Sequence, residues 1–67
     1  MVPHVPFIEV KAFKHRFEDD EKAEQLIQKL TDAFAEVYGE EVRSETEVVL
    51  TGVERRHWGF GGQRRLG

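Results

Sequence analysis

The spacing of hydrophobic and polar positions changes along the chain, and the changes mark three elements. Over residues 6–14 (PFIEVKAFK) the pattern alternates, with Ile8, Val10 and Ala12 on one face and Phe7, Glu9, Lys11 and Phe13 on the other. A period of two predicts a strand. Pro6 lacks an amide hydrogen, so it suits the strand's start or an edge. A loop is expected over 15–18. The period then lengthens: Ala23, Leu26, Ile27, Leu30, Ala33, Phe34 and Val37 recur at three- and four-residue steps and form one apolar stripe of a helix. Glu24, Gln25, Gln28, Lys29, Asp32 and Glu36 make its wet side. Asp19 or Asp20 can cap the helix, and the acids at 18–21 suit the positive end of its dipole. Gly39 stands where a left-handed residue closes a helix.

A polar connector follows over 40–45. Residues 46–53 (TEVVLTGV) are rich in β-branched side chains and almost continuously apolar, which predicts a second strand buried on both faces. Residues 57–62 (HWGFGG) combine three glycines with two aromatics and predict a tight turn or short hairpin. Strand, helix, strand in that order predicts parallel strands joined by a right-handed crossover. The fold class is therefore α/β (α+β): a single β-α-β subunit over 1–67, with 1–5 as an amino-terminal extension and 63–67 as a basic tail.

Length makes this picture incomplete. The chain has 67 residues, and a domain of that size buries only about 60% of its unfolded surface. Small domains usually add disulfides, a metal or a partner chain. The chain has no cysteine, which excludes disulfides and thiolate metal sites. Its histidines, His4, His15 and His57, have no ligand-like spacing, so neither metal nor cofactor is expected. Oligomerisation remains. Two copies paired edge to edge would give a four-stranded sheet with two helices on one face, and the other face would still need covering. No apolar run approaches the roughly 18 residues of a membrane span. Residues 1–10 lack the basic start and apolar core of a signal peptide. A soluble, cytoplasmic protein with no membrane partner is expected.

Charge is unevenly distributed. Residues 18–47 hold eleven acids against the three bases Lys22, Lys29 and Arg43, whereas residues 54–67 hold Arg55, Arg56, Arg64 and Arg65 against Glu54. A basic end on an acidic body suits an anionic ligand. Arginines interleaved with aromatics in ERRHWGFGGQRRLG also have the composition of a nucleic-acid contact. The acidic body opposes that reading, and no nucleic-acid partner is expected.

Taken in order, PFIEVKAF, DDEKAEQLIQKLTDAFAEVYG, EVVLTGV and HWGFGG resemble the tautomerase superfamily, specifically its short 4-oxalocrotonate tautomerase-like subunits. The resemblance covers residues 6–62. It implies a β-α-β subunit paired into dimers and assembled as a homohexamer, a trimer of dimers. It also implies a cofactor-free isomerase that interconverts the keto and enol forms of a small 2-keto or enol acid. The acid/base would be an amino-terminal proline. A secondary amine shuttles protons only when its nitrogen is free, and desolvation and nearby cations bring its pKa toward neutrality. Arginines hold the substrate carboxylate and polarise the enolate. An aromatic wall excludes water.

The resemblance aligns Pro6 with the catalytic proline through its PFIEV context. It places Arg16 at a substrate-binding arginine and Trp58 in the pocket wall. Gly59, Gly61 and Gly62 fall at a turn that contacts neighbouring subunits. The sequence departs from the pattern twice. Glu47 stands where a second substrate-binding arginine is found, and a carboxylate there repels a dianionic substrate; Arg55 and Arg56 are candidates for the missing cation. Residues 1–5 also precede Pro6, so its nitrogen is an amide. A start at Pro3 or at Pro6 would restore a free amine. A chain that keeps the extension would instead be a non-catalytic subunit or interaction protein, the structural half of a hetero-oligomer.

Overall fold

The structure, a computed structural model, describes residues 5–64. Strands β1 (Phe7–Phe13) and β2 (Glu47–Val53) pair in parallel, from Phe7 opposite Glu47 to Phe13 opposite Val53. Helix α1 (Asp20–Tyr38) makes the crossover between them. Pro6 sits just before β1, where its carbonyl accepts from the Glu47 N–H at 2.9 Å. The ladder thus begins on the one backbone group that proline can still offer.

Each boundary has a local cause. The Asp19 carboxylate accepts from the N–H groups of Glu21 (3.0 Å) and Lys22 (3.3 Å), so Asp19 is the cap. The segment expected as a loop over 15–18 is a short 3₁₀ turn, Lys14–Phe17. At the helix end Gly39 adopts φ 109°, ψ 153°. That backbone has positive φ but is extended, unlike the left-handed helical residue expected from the sequence, and it sends the chain straight out of the helix. A second 3₁₀ turn, Glu40–Glu45, fills the connector. Arg43 clamps it to α1, with Nε and Nη2 each 3.0 Å from the two Glu40 oxygens and Nη1 bonded to Asp32.

Burial follows the alternation on β1. Ile8, Val10 and Ala12 are half-buried, as are Val48 and Leu50 beside them on β2, while Phe7, Glu9 and Lys11 are exposed. Helix α1 packs on one face of the pair. The other face is open: Phe7 is 60% and Val49 41% exposed. A strand buried on both faces was the expectation for 46–53, and one chain covers only one face. The helix stripe is narrower than its periodicity suggests, because a two-stranded sheet is a narrow platform. Ala23, Leu26, Leu30 and Phe34 are half-buried, but Ile27, Ala33 and Val37 are exposed. The buried arc extends instead over Thr31 and Ala35. Thr31 belongs there because its hydroxyl donates to the Ile27 carbonyl at 2.8 Å. Ala35, at 3% exposure, is the one fully buried hydrophobic residue among those described. The radius of gyration is 14.9 Å, whereas a compact domain of this length gives about 11 Å.

Strands β3 (Gly59–Phe60) and β4 (Gln63–Arg64) form an antiparallel hairpin. Gly61 and Gly62 occupy its two-residue loop at φ 56° and 86°, the positive pair that a type I′ turn requires. Part of the segment expected as a tail is therefore strand. No helix among the described residues is long and apolar enough to cross a membrane.

Candidate functional site

Parallel pairing places the carboxyl ends of β1 and β2 side by side. The turn Lys14–Phe17 leaves β1 there, and a 3₁₀ turn at Arg55–His57 leaves β2 there. Lys14, His15, Arg16, Arg55, Arg56 and His57 thus gather at one end from two distant stretches of sequence. Ligands of parallel sheets bind outside this end of the strands.

An aromatic stack anchors the two turns. Phe13 and Trp58 meet edge to face at 5.0 Å and 68°, and the His15 ring lies 6.3 Å from Phe13. The Arg55 guanidinium sits 5.0 Å over the Phe13 ring, a cation–π contact that fixes its position. Lys14 and Glu54 pair at 3.4 Å between the turns. Beside this stack is an open cleft of about 330 Å³, lined by Lys11, Val53, His57, Trp58 and Gly59.

A second cleft, of about 520 Å³, opens at the other end of the sheet and is lined by Val5, Pro6, Phe34, Tyr38 and Val42. Its walls are mostly apolar, with the Phe34 and Tyr38 rings 4.7 Å apart. Glu47 lies at this end, exposed and opposite Phe7. The Pro6 nitrogen is in an amide bond to Val5 and has no basic lone pair.

The clefts are separated by the length of β1, about 20 Å for seven residues. The structure therefore brings Arg16, Arg55, Arg56 and Trp58 to one end and leaves Pro6 at the other. Neither Arg55 nor Arg56 stands beside Glu47 within a chain. Pro3, the other candidate proline, lies outside the described residues, as does Arg65.

The family model described as "Tautomerase enzyme" matches residues 6–65. The chain belongs to the tautomerase family. Neither a curated protein nor a solved structure matches it. The tautomerase match begins at Pro6 and includes every residue that lines the two clefts except Val5. Several tautomerase cleft residues escaped the sequence reading. Phe34 was legible only as helix core, Tyr38 fell outside the stripe, and Val42 lay in a polar connector; the last turns of α1 carry Phe34 and Tyr38 to the cleft, and the exit of the chain at Gly39 adds Val42. Lys11 was legible only as an exposed strand position.

The clearest electrostatic shift lies away from both clefts. The Arg43 guanidinium, through its hydrogen bonds first and its charge second, holds the Glu40 carboxyl below the usual glutamate range. Arg43 in turn is pushed further above its already high value by its bonds to Glu40 and Asp32. This clamp is structural, and it holds the turn carrying Val42 against α1.

Proposed function

We propose that this tautomerase-family chain is an isomerase that interconverts the enol and keto forms of small 2-keto acids, with Pro6 as its acid/base once the Pro6 nitrogen is a free amine. The supporting observation is the family match that begins at Pro6, a residue that itself lines an apolar cleft. Phe34, Tyr38 and Val42 desolvate that position, and desolvation lowers the pKa of an amine toward neutrality. The neutral amine takes the enol hydroxyl proton, and the resulting ammonium returns a proton to the adjacent carbon, giving the ketone. Arg16 holds the carboxylate, and Trp58 walls the reacting carbons from water. Glu47 at the Pro6 end disfavours a second carboxylate, so monocarboxylates are the preferred class.

Pro6 and Arg16 lie at opposite ends of one chain, so this reading requires a second copy. Two chains running antiparallel bring the Pro6 end of one to the cationic end of the other. Three observations support such a homo-oligomer. The core is open, the sheet face exposes Phe7 and Val49, and Glu45 and Glu47 at one end complement Arg16, Arg55 and Arg56 at the other. A homohexamer completes this geometry by covering the open sheet faces.

The test is ketonisation of an arylpyruvate enol by protein whose first residue is Pro6, compared with the 67-residue chain. Acceleration by the Pro6-first protein and none by the longer chain is expected. Equal activity from both would remove Pro6 as the base. No acceleration by either would leave the fold with a binding role, as a non-catalytic subunit.

A further inference from the structure

Strand β1 has a free edge whose backbone phase is fixed. The Pro6 carbonyl accepts from the Glu47 N–H of β2. By alternation, the N–H and C=O groups of Ile8, Val10 and Ala12 also point to β2. Those of Phe7, Glu9, Lys11 and Phe13 point the other way, and among the described residues no strand pairs with that edge. The same four side chains share the open face of the sheet, where they run apolar, acid, base, apolar. That order becomes its own complement when it is reversed. Lys11 has no ion-pair partner among the described residues. Glu9 accepts from the Thr51 hydroxyl at 2.9 Å, a bond that uses one of its two carboxylate oxygens.

We propose that a second copy of this chain pairs antiparallel along this edge, in the register that sets Glu9 opposite Lys11 of the second copy and Lys11 opposite its Glu9. Phe7 then faces Phe13, and Val10 meets Val10 on the two-fold axis, so the contact is isologous. The charges select this register. A slide of two residues in one direction sets Glu9 on Glu9, and in the other direction Lys11 on Lys11; like charges directly opposite destabilise a sheet. A slide of one residue puts open-face side chains beside helix-face ones. The backbone phase agrees: Glu9–Lys11 and Phe7–Phe13 become hydrogen-bonded pairs, and Val10–Val10 the closer, non-hydrogen-bonded kind. The open-face residues of β2, Glu47, Val49, Thr51 and Val53, include no base and select nothing similar. A covered sheet face also requires partners for its charges, and this register supplies them. It carries Pro6 toward Lys14 of the second copy, where the turn bearing Arg16 begins. That last consequence rests on the proposed function; the pairing itself rests on β1.

The test sizes the full 67-residue protein by light scattering over a range of concentrations. Glu9→Lys and Lys11→Glu should each raise the concentration at which copies dissociate about tenfold or more, because each turns two attractive contacts of a pair into two repulsive ones. The chain carrying both substitutions restores acid opposite base and should dissociate within about threefold of wild type. Val10→Cys gives a chain without cysteine its single thiol. On oxidation it should link copies in pairs, since a non-hydrogen-bonded pair holds its Cα atoms about 4.5 Å apart, within disulfide reach. Leu50→Cys, on the β2 residue opposite Val10, should not link, because three strand spacings of about 14 Å would separate the two thiols. A monomeric wild type, single variants that dissociate like wild type, a doubly substituted chain no tighter than the singles, or linkage through Leu50→Cys rather than Val10→Cys overturns the proposal. None of these results depends on turnover. An inactive Pro6-first protein that links through Val10→Cys would sink the tautomerase reading and keep the pairing. An active one whose Val10→Cys variant stays unlinked would do the reverse.

Discussion

Phe13 and Trp58 meet edge to face with ring centroids 5.0 Å apart, which ties the last residue of β1 to the segment entering the hairpin. Such a pair contributes about 0.5–1.5 kcal/mol beyond simple burial. A double-mutant cycle of Phe13→Leu and Trp58→Leu, read by urea denaturation at one protein concentration, should return a coupling of about 1 kcal/mol. Additive losses would mean that the two rings are neighbours without being partners.

Arg16 is placed at the cationic end by the turn that follows β1. In protein beginning at Pro6, Arg16→Ala should raise KM for an arylpyruvate about 10- to 100-fold, the range expected for losing a bond between charged groups. The substitution should change kcat less. An unchanged KM would mean that another cation holds the substrate carboxylate.

The clamp of Arg43 on Glu40 and Asp32 makes a prediction about acid. The folded-state pKa of Glu40 lies below its unfolded value because Arg43 bonds and attracts its charged form. A depressed carboxyl contributes stability above its unfolded pKa and loses it as pH falls through the folded pKa. Arg43→Met should therefore lower the denaturation midpoint at neutral pH, and the gap should close in acid below the glutamate range. The Glu40 carboxyl resonance should titrate at higher pH in the variant. A gap independent of pH would show that Arg43 acts by packing.

The open sheet face carries the exposed apolar residues Phe7 and Val49 beside the charged Glu9, Lys11 and Glu47. If copies of the chain cover it, Val49→Lys buries a charge among apolar groups, at a cost of several kcal/mol per copy. Light scattering behind a sizing column should show smaller assemblies, and the melting temperature should fall. A variant of unchanged mass and melting temperature would mean that this face stays wet.

Much of the architecture was written in local periodicity. The alternation of Ile8, Val10 and Ala12 with Phe7, Glu9 and Lys11 marked β1 and its two faces, and the Asp19 cap and the Gly39 exit bounded α1. The apolar run Val48–Leu50 misled, because a near-continuous apolar strand reads as buried on both faces while this chain supplies a helix to cover only one of them. Ala35 escaped notice for a related reason. A small residue beside the stripe becomes the most buried position only when the platform beneath the helix is two strands wide. The site was less legible than the fold. Arg16 and Trp58 were visible as types, but their separation from Pro6 is a property of parallel register. Nothing in the local sequence of Lys11 distinguishes it from a solvated strand charge; its cleft exists because His57 and Trp58 fold over it from the end of β2.

With one alanine as the fully buried hydrophobic core of the described residues, a single copy has little to hold it together in isolation. If copies of the chain complete that core, folding and their encounter become a single equilibrium that mass action governs. Heat tolerance would rise with protein concentration rather than remain a constant of the molecule. Turnover per chain would fall on dilution, because Pro6 and Arg16 would separate before either was chemically altered. For a cell, the amount of this protein would act as a threshold as well as a dose.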